Sequence, residues 1–145
     1  MTIRLASIGS TPAADGLDET GGWVDMDVQF LVDHASGAES MVFGRTVFKP
    51  GSGTHAVHRH QHAEEVVLIV RGHGIAIDGE QEIEVAPGDL VLHPRNAWHG
   101  FRNSSESEEV EMLWVWGGAA SRESAGYELA ARHADHTPED PTGSD

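Results

Sequence analysis

The stretch GTHAVHRHQHAEEVVLIVRG, residues 53–72, places histidines and two carboxylates directly before a run of apolar residues. His58 and His60 are two positions apart, so on a β-strand their imidazoles point to the same side. Glu65 lies five positions beyond His60, an odd offset that would put it on the opposite face of an uninterrupted strand. We therefore expect a turn between them, with Glu65 opening the next strand. Glu64 takes the carboxylate role if the turn is one residue tighter.

A second histidine-bearing stretch, GDLVLHPRNAWHGFRN, follows at residues 88–103. A closed barrel can bring its His99 to the histidines of the first stretch, because inward-pointing side chains of a barrel converge. Imidazole and carboxylate ligands bind divalent first-row metals, and ligand type alone does not choose among iron, manganese, zinc, nickel, cobalt and copper. The sequence therefore predicts one divalent metal ion as the cofactor.

Size and charge exclude several classes of function. The 145 residues fit one domain, and the 24 acidic residues against 9 basic ones give a formal charge of -15. Such a surface repels phosphate backbones and anionic lipid, so we expect neither nucleic acid nor a membrane as a partner. The absence of cysteine excludes disulfides and thiolate ligands. Because the first residues are too short and weakly apolar for a signal peptide, we expect a cytoplasmic protein.

The frequent glycines and prolines of the chain favour short strands over long helices. Seventeen glycines and six prolines interrupt it, and strands bounded by closely spaced turns predict an all-β sandwich or barrel. We expect an N-terminal segment over residues 1–20, partly flexible or packed on the barrel, and the β-barrel itself over residues 21–120. One short helix over residues 121–133 and an acidic, disordered tail over residues 134–145 complete the prediction.

The apolar run VVLIV at residues 66–70 has no polar alternation. A strand of this kind is typical of one that is covered on both faces, by the opposite sheet and by something outside the barrel. A partner subunit is one candidate for the outer cover, so the sequence favours a homodimer.

Both stretches resemble the two motifs of the cupin superfamily. His58-x-His60, four residues, Glu65, six residues and Gly72 match the core of the first motif, whose leading glycine is displaced by one residue to Gly51 or Gly53. In the second motif, Gly88, Pro94, His99 and Asn103 are in place, whereas Asn96 stands where the motif has glycine. Asparagine tolerates the left-handed backbone that a turn glycine often supplies.

The resemblance covers residues 51–103, over a third of the chain. It implies a double-stranded β-helix, or jelly-roll barrel, of six to eight strands, and it implies that dimers are common. It also implies a metal held by His58, His60, Glu65 and His99. Fold and metal do not fix the reaction, because cupins include oxygenases, isomerases, cyclases, lyases and proteins without turnover.

Five further residues are candidates for the pocket or for catalysis. His93 and Glu64 are candidate acid–base groups, because each lies close in sequence to a predicted ligand. Arg71 shares strand parity with Glu65 and could hold a substrate carboxylate, or it could reach solvent at the strand end. Trp98 and His55 are candidates for the pocket wall, although core packing is the simpler interpretation of each.

We therefore expect a metal-dependent enzyme that acts on a small organic molecule, with a mononuclear Fe(II) or Mn(II) oxygenase as the leading hypothesis. A non-redox isomerase, cyclase or lyase is the first alternative, in which the metal acts as a Lewis acid. A non-catalytic module that binds a small ligand or a metal is the second.

Overall fold

The computed structural model describes residues 2–131 as two antiparallel β-sheets that face each other. Eleven strands occur among these residues: β1 Trp23–Val24, β2 Met26–Val32, β3 Met41–Phe48, β4 Thr54–His60, β5 Glu64–Arg71, β6 Gly74–Asp78, β7 Gln81–Val85, β8 Leu90–His93, β9 His99–Asn103, β10 Val110–Gly117 and β11 Tyr127–Leu129. The predicted all-β barrel is confirmed. The strands outnumber the expected six to eight, and short β1 and β11 at the margins of one sheet account for two of the extra strands.

One sheet has the order β1-β4-β9-β6-β7, with β11 also paired to β4, and the other has the order β2-β3-β10-β5-β8. β4 and β5 follow each other in sequence but belong to different sheets. The turn at residues 61–63 therefore carries the chain from one sheet to the other. As a result, side chains at the end of β4 and the start of β5 face each other across the barrel.

The barrel interior is filled by aromatic side chains. Along β10 the burial alternates strictly, and Trp114 and Trp116 both point inward. Phe30 meets each of these indoles edge-on, at centroid distances of 5.6 and 6.0 Å. Gly44 on β3 gives Trp114 its space, because a Cβ there would lie 2.0 Å from the indole ring. Such packing fixes the inner face on which the histidines lie.

Asn96, which stands in place of the motif glycine, has φ of 68°. It occupies the left-handed region that a turn glycine commonly takes, and its backbone N–H donates to the carbonyl of His60 at 2.8 Å. The turn before β9 is thereby tied to the end of β4, the two strands that carry the predicted histidine ligands.

The predicted helix is shorter than expected. It comprises one turn, α1 Arg122–Ala125, with Ser121 as its cap. Gly126 ends it at φ of 72°, and the chain then joins the edge of β4 as β11. Residues 130 and 131 are not helical, and the rest of the predicted helix and the predicted tail lie outside the described residues.

The N-terminal segment contacts the barrel at a few points. The amide of Gln29 donates to the carbonyls of Ile8 and Thr11, and the backbone N–H of Ala14 donates to Val28 at 2.7 Å. These bonds lay the segment over the outer side of β2, where Gln29 is 8% exposed.

The N-terminal segment lies over β2, and elsewhere the outer side of the five-stranded sheet exposes several apolar side chains. We call this surface the outer apolar face; its exposed members are Met41, Val66, Val70, Leu90 and Leu92. The expectation that the apolar run of β5 is covered on both sides is thus met on the inner side only. No described residue covers these side chains from outside the barrel.

Candidate metal centre

Three histidines converge at one end of the barrel interior. His58 and His60 point inward from β4, and His99 begins β9 opposite His58. All three are at most 4% exposed, and one ligand nitrogen from each lies within 4.8 Å of the others. The sequence predicted this convergence of His58, His60 and His99.

Two of these imidazoles are held in one orientation by the backbone. Nδ1 of His58 is 2.7 Å from the carbonyl oxygen of Ala56, and Nδ1 of His99 is 2.9 Å from that of Ala97. A carbonyl only accepts, so each Nδ1 carries the proton and donates it. Nε2 of each ring therefore presents a lone pair, the arrangement that histidine ligands of metals adopt.

The ring of the third histidine, His60, has no hydrogen-bond partner among the described residues. Within residues 2–131, both ring nitrogens of His60 and Nε2 of His99 are buried without one. Buried polar atoms are nearly always paired, and a buried, unpaired lone pair is unfavourable. In neutral His60 one ring nitrogen carries the proton, and the lone pair of the other, together with that of His99 Nε2, is what a metal ion would satisfy. The residues therefore fit a divalent cation.

Glu65 supplies a carboxylate from the opposite sheet. Its Oε2 is 3.7 Å from Nδ1 of His60 and its Oε1 is 3.8 Å from Nε2 of His99. The indole N–H of Trp116 donates to Oε2, which fixes the carboxylate in place. Burial raises the pKa of Glu65 to about 7, while the bond from Trp116 acts to lower it. An adjacent cation would favour the ionised form.

His93 adds a fourth histidine to the centre. It lies on β8 directly opposite Glu65, and its ring stacks on His99 at a centroid distance of 4.0 Å. Ligand atoms of Glu65, His93 and His99 also lie within 4.8 Å of one another. Because His99 has only one free nitrogen, this group and the three-histidine group describe one centre rather than two.

His55 lines the same cavity because of an irregularity in β4. The register between β4 and β9 shifts between His55 and His58, so that both point inward despite their odd spacing. The ring of His55 stacks on that of His58 at 3.8 Å. The Tyr127 hydroxyl donates to the carbonyl of Gly21 at 2.7 Å, so Nε2–H of His55 donates to the Tyr127 oxygen at 3.1 Å.

The buried histidines are neutral at neutral pH. Burial lowers the pKa of His60 and of His93 to about 3, with smaller effects from neighbouring histidines. Burial is also the main cause that lowers the pKa values of His55, His58 and His99. Neutral imidazole is the form that binds a metal.

Three predicted pocket or catalytic residues lie elsewhere. Arg71 points outward because of a β-bulge at the end of β5. Met112 on β10 pairs with Ile69, but its neighbour Glu111 pairs with Arg71. The extra residue in β5 reverses the alternation of inward and outward side chains. The side chain of Arg71 is 57% exposed, and its guanidinium is 3.9 Å from the Glu111 carboxylate.

Trp98 and Glu64, predicted at the pocket, lie outside it because of ordinary strand alternation. Each directly precedes an inward residue, His99 or Glu65, and successive strand residues face opposite sides. Trp98 lies outside the barrel under the guanidinium of Arg59, 4.4 Å from the ring centroid, and Glu64 is exposed.

The centre lies in a cavity of about 50 Å³ whose walls are largely aromatic and aliphatic. Trp23, Arg122 and Tyr127 lie at its mouth, where Trp23 and Tyr127 stack at 4.7 Å. β11 brings Tyr127 there by pairing with the segment from His58 to His60. Sequence reasoning left the position of Tyr127 open and missed the bond from Trp116 to Glu65, since neither contact has a local sequence signal.

Residues 44–116 match the family description of the cupin domain. The chain is a cupin. The match covers half of the chain and includes every residue of the centre apart from those at the mouth. The fold agrees, since a cupin-2 domain protein from Rhodospirillum rubrum aligns with a TM-score of 0.68 and 21% identity, over 90% of this cupin and 82% of that chain.

Two enzymes share part of the sequence. The 1-methylthio-D-xylulose 5-phosphate methylsulfurylase of Rhodospirillum rubrum is 46% identical over 56 residues, 38% of this cupin and 35% of the relative. The acireductone dioxygenase of Bacillus thuringiensis is 41% identical over 59 residues, 37% of this cupin and 35% of the relative. The matched part thus spans about a third of each relative.

The cupin domain and its histidine-rich centre together indicate a divalent metal ion. The donor set of nitrogens and a carboxylate does not select one element. As to membranes, none of the described helices has the length and apolar character needed to cross one.

Proposed function

We propose that this cupin is a metal-dependent enzyme that acts on a small organic molecule. The observation that carries the proposal is the set of buried, unpaired nitrogens on His60 and His99 beside the Glu65 carboxylate. A purely structural cluster would satisfy these atoms with hydrogen bonds. Their position in a cavity that opens at Tyr127 leaves room for a small molecule next to the metal.

Within this class we propose a mononuclear iron or manganese oxygenase, with His58, His60, Glu65 and His99 as the ligands. A bound iron or manganese ion would supply redox chemistry with dioxygen. The partial likeness to an acireductone dioxygenase supports this choice. Two or three histidines with one carboxylate suit redox-active first-row metals and leave open positions for exogenous ligands.

The chain's own residues would then have separate tasks. Trp116 orients the Glu65 carboxylate through its N–H. The aromatic walls exclude water from the centre, which strengthens electrostatic interactions there. His93 lies beside His99. Its ring nitrogens have no hydrogen-bond partner among the described residues, so they can donate a hydrogen bond to a polar atom of the substrate or accept one from it.

A non-redox isomerase, cyclase or lyase is the second candidate. The partial likeness to a methylsulfurylase supports it, because that enzyme's name describes no oxygenation. The same centre would then polarise a substrate oxygen as a Lewis acid.

Oxygen uptake separates these candidates. Protein loaded anaerobically with Fe(II) is expected to consume oxygen in step with substrate loss when supplied with a panel of diols, diketones and phenols. The same protein loaded with zinc is expected to be inactive, because zinc has no redox chemistry. Turnover with zinc and without oxygen would select the second candidate. Tight binding without product under either metal would show a non-catalytic module and refute both.

We also propose a homodimer formed through the outer apolar face. A second copy is the occupant that fits, because a chain with a formal charge of -15 repels its copies everywhere except where the surface is apolar. Leu90 and Leu92, at 68% and 60% exposure, lie on β8, the edge strand of that sheet. Burying such side chains supplies about 1.5–3 kcal/mol each.

Light scattering after gel filtration tests the dimer. The wild-type protein is expected at twice the chain mass, and the double variant Leu90→Glu, Leu92→Glu at the chain mass with unchanged metal content. Ile83→Glu is the matched control, since Ile83 is 48% exposed but lies on β7 of the other sheet. A monomeric wild-type protein at micromolar concentration would refute the proposal.

A further inference from the structure

We infer that the cavity takes a small, unphosphorylated molecule with an apolar body and paired oxygens at one end, of the enediol, diketone or catechol type. Sugar phosphates are excluded. The inference rests on the proposed metal centre for the oxygen-bearing end. Its new content is the class of the remainder of the molecule, which the cavity walls determine.

Away from the histidines of the metal centre, the polar groups of the walls are already paired within the protein. The indole N–H of Trp114 donates to the Thr46 hydroxyl at 3.0 Å, and that of Trp116 donates to Glu65. The Tyr127 hydroxyl donates to the backbone of Gly21. The hydroxyl groups of a sugar would lose their hydrogen bonds to water and find few replacements, and each buried unpaired group would weaken binding.

The charge of the cavity also disfavours phosphate. Among the described residues that line it, Arg122 is the only lysine or arginine, and it is an exposed residue at the mouth. Its guanidinium lies over the ring of Trp23, 5.2 Å from the centroid. Deeper inside, Glu65 is the charged group, and it is an acid. A buried phosphate dianion would therefore have no nearby cation besides the metal.

The remaining surface selects an apolar body. Phe30, Val28, Phe101 and Met112 contribute side chains without polar groups other than a thioether, and the cavity measures about 50 Å³. This space suits a short alkyl group or part of a single ring, and a larger body would have to extend through the mouth. Each methylene of the ligand that is buried there tightens binding.

Calorimetry with matched ligands tests the inference on protein loaded with zinc, which excludes turnover through redox chemistry. The probes 4-methylcatechol and 3,4-dihydroxybenzoate share the ring and the paired oxygens and differ in a methyl group against a carboxylate. We expect 4-methylcatechol to bind at least tenfold more tightly and ribulose 5-phosphate to show no binding at millimolar concentration. Equal or tighter binding of the carboxylate or the sugar phosphate would overturn the inference.

Two valine variants locate the binding in the cavity. Val28→Thr introduces a hydroxyl at the cavity wall and is expected to weaken 4-methylcatechol binding several-fold. Val42→Thr is the control, because Val42 is fully buried on the neighbouring strand but does not line the cavity. Equal weakening by both variants would contradict binding at this wall.

Metal-free protein separates this inference from the proposed function. The probe 4-methylphenol has one oxygen and cannot chelate, so its binding reports the apolar wall alone. If zinc fails to bind but 4-methylphenol binds and Val28→Thr weakens it, the metal centre is wrong and the apolar site stands. If zinc binds normally and 4-methylcatechol is not preferred over 3,4-dihydroxybenzoate, the inference fails while the proposed metal centre stands.

Discussion

Replacing His60 with alanine is expected to lower metal affinity at least about a hundredfold and to remove activity with it. His60 is 2% exposed, and neither of its ring nitrogens has a hydrogen-bond partner among the described residues. Loss of groups that merely support a ligand typically costs 10–100-fold, so loss of a ligand itself should cost more. Elemental analysis of purified protein and a cobalt titration followed by visible absorption measure the effect.

His62→Ala is the matched control for this experiment. His62 lies two residues further along the chain, in the turn, and its side chain is exposed. Its hydrogen bond to Ala125 in the C-terminal segment is made by the backbone N–H, which alanine retains. Metal content should therefore match the wild type. A His60→Ala protein with full activity and no metal would refute the metal centre and the enzyme proposal together.

Acid is expected to unfold the metal-free protein over a narrow range below pH 6.5. The pKa values of His55, His58, His60, His93 and His99 are all lowered in the folded state, mainly by burial. Below pH 6.5 the unfolded chain then binds more protons than the folded chain. The free energy of unfolding therefore decreases as the pH is lowered. Each neutral histidine contributes about 1.4 kcal/mol per pH unit in that range.

Glu65 acts in the opposite direction but is outnumbered. Burial raises its folded pKa to about 7, so its contribution is present below its unfolded pKa and is lost as the pH rises through 7. Acidification from pH 7 therefore relieves one buried carboxylate while it disfavours five buried imidazoles. The net change is a few kcal/mol per pH unit, a large share of the 5–15 kcal/mol that stabilises a typical domain.

Urea unfolding at pH 7.0 and pH 5.5 measures this loss. His93→Gln should reduce the difference between the two pH values, because glutamine does not titrate. His73→Gln provides the control, since His73 is exposed and should leave the difference unchanged. A free energy of unfolding that is equal at both pH values would contradict the burial of neutral histidines.

Strand periodicity predicted the fold and much of the candidate centre. The even spacing of His58 and His60 and the odd offset of Glu65 required a turn between them, and the structure has one at residues 61–63. The pair Asp78-Gly79 is a typical hairpin-turn sequence, and β6 and β7 pair on either side of it. These features follow from local geometry, which the sequence encodes within a few residues.

Two side chains are oriented by interruptions of the strand periodicity. A bulge at the end of β5 turns Arg71 outward, and another irregularity in β4 turns His55 inward. A bulge depends on pairing with a distant strand, so counting along one strand cannot detect it. The contacts of Trp116 with Glu65 and of Tyr127 with His55 join residues 51 and 72 positions apart, and they depend on the completed barrel.

β8 has four residues, whose side chains point alternately to the inside and the outside of the barrel. Val91 and His93 look into the cavity, while Leu90 and Leu92 look out from the sheet. A single inserted or deleted residue in this strand would exchange the two sets, placing leucine beside the metal ligands and histidine on the outer surface. Catalysis and assembly would then be lost in one event. The proposed roles of this strand at the metal centre and at the dimer surface therefore depend on the same alternation. A substitution that keeps the strand length can change one role without the other.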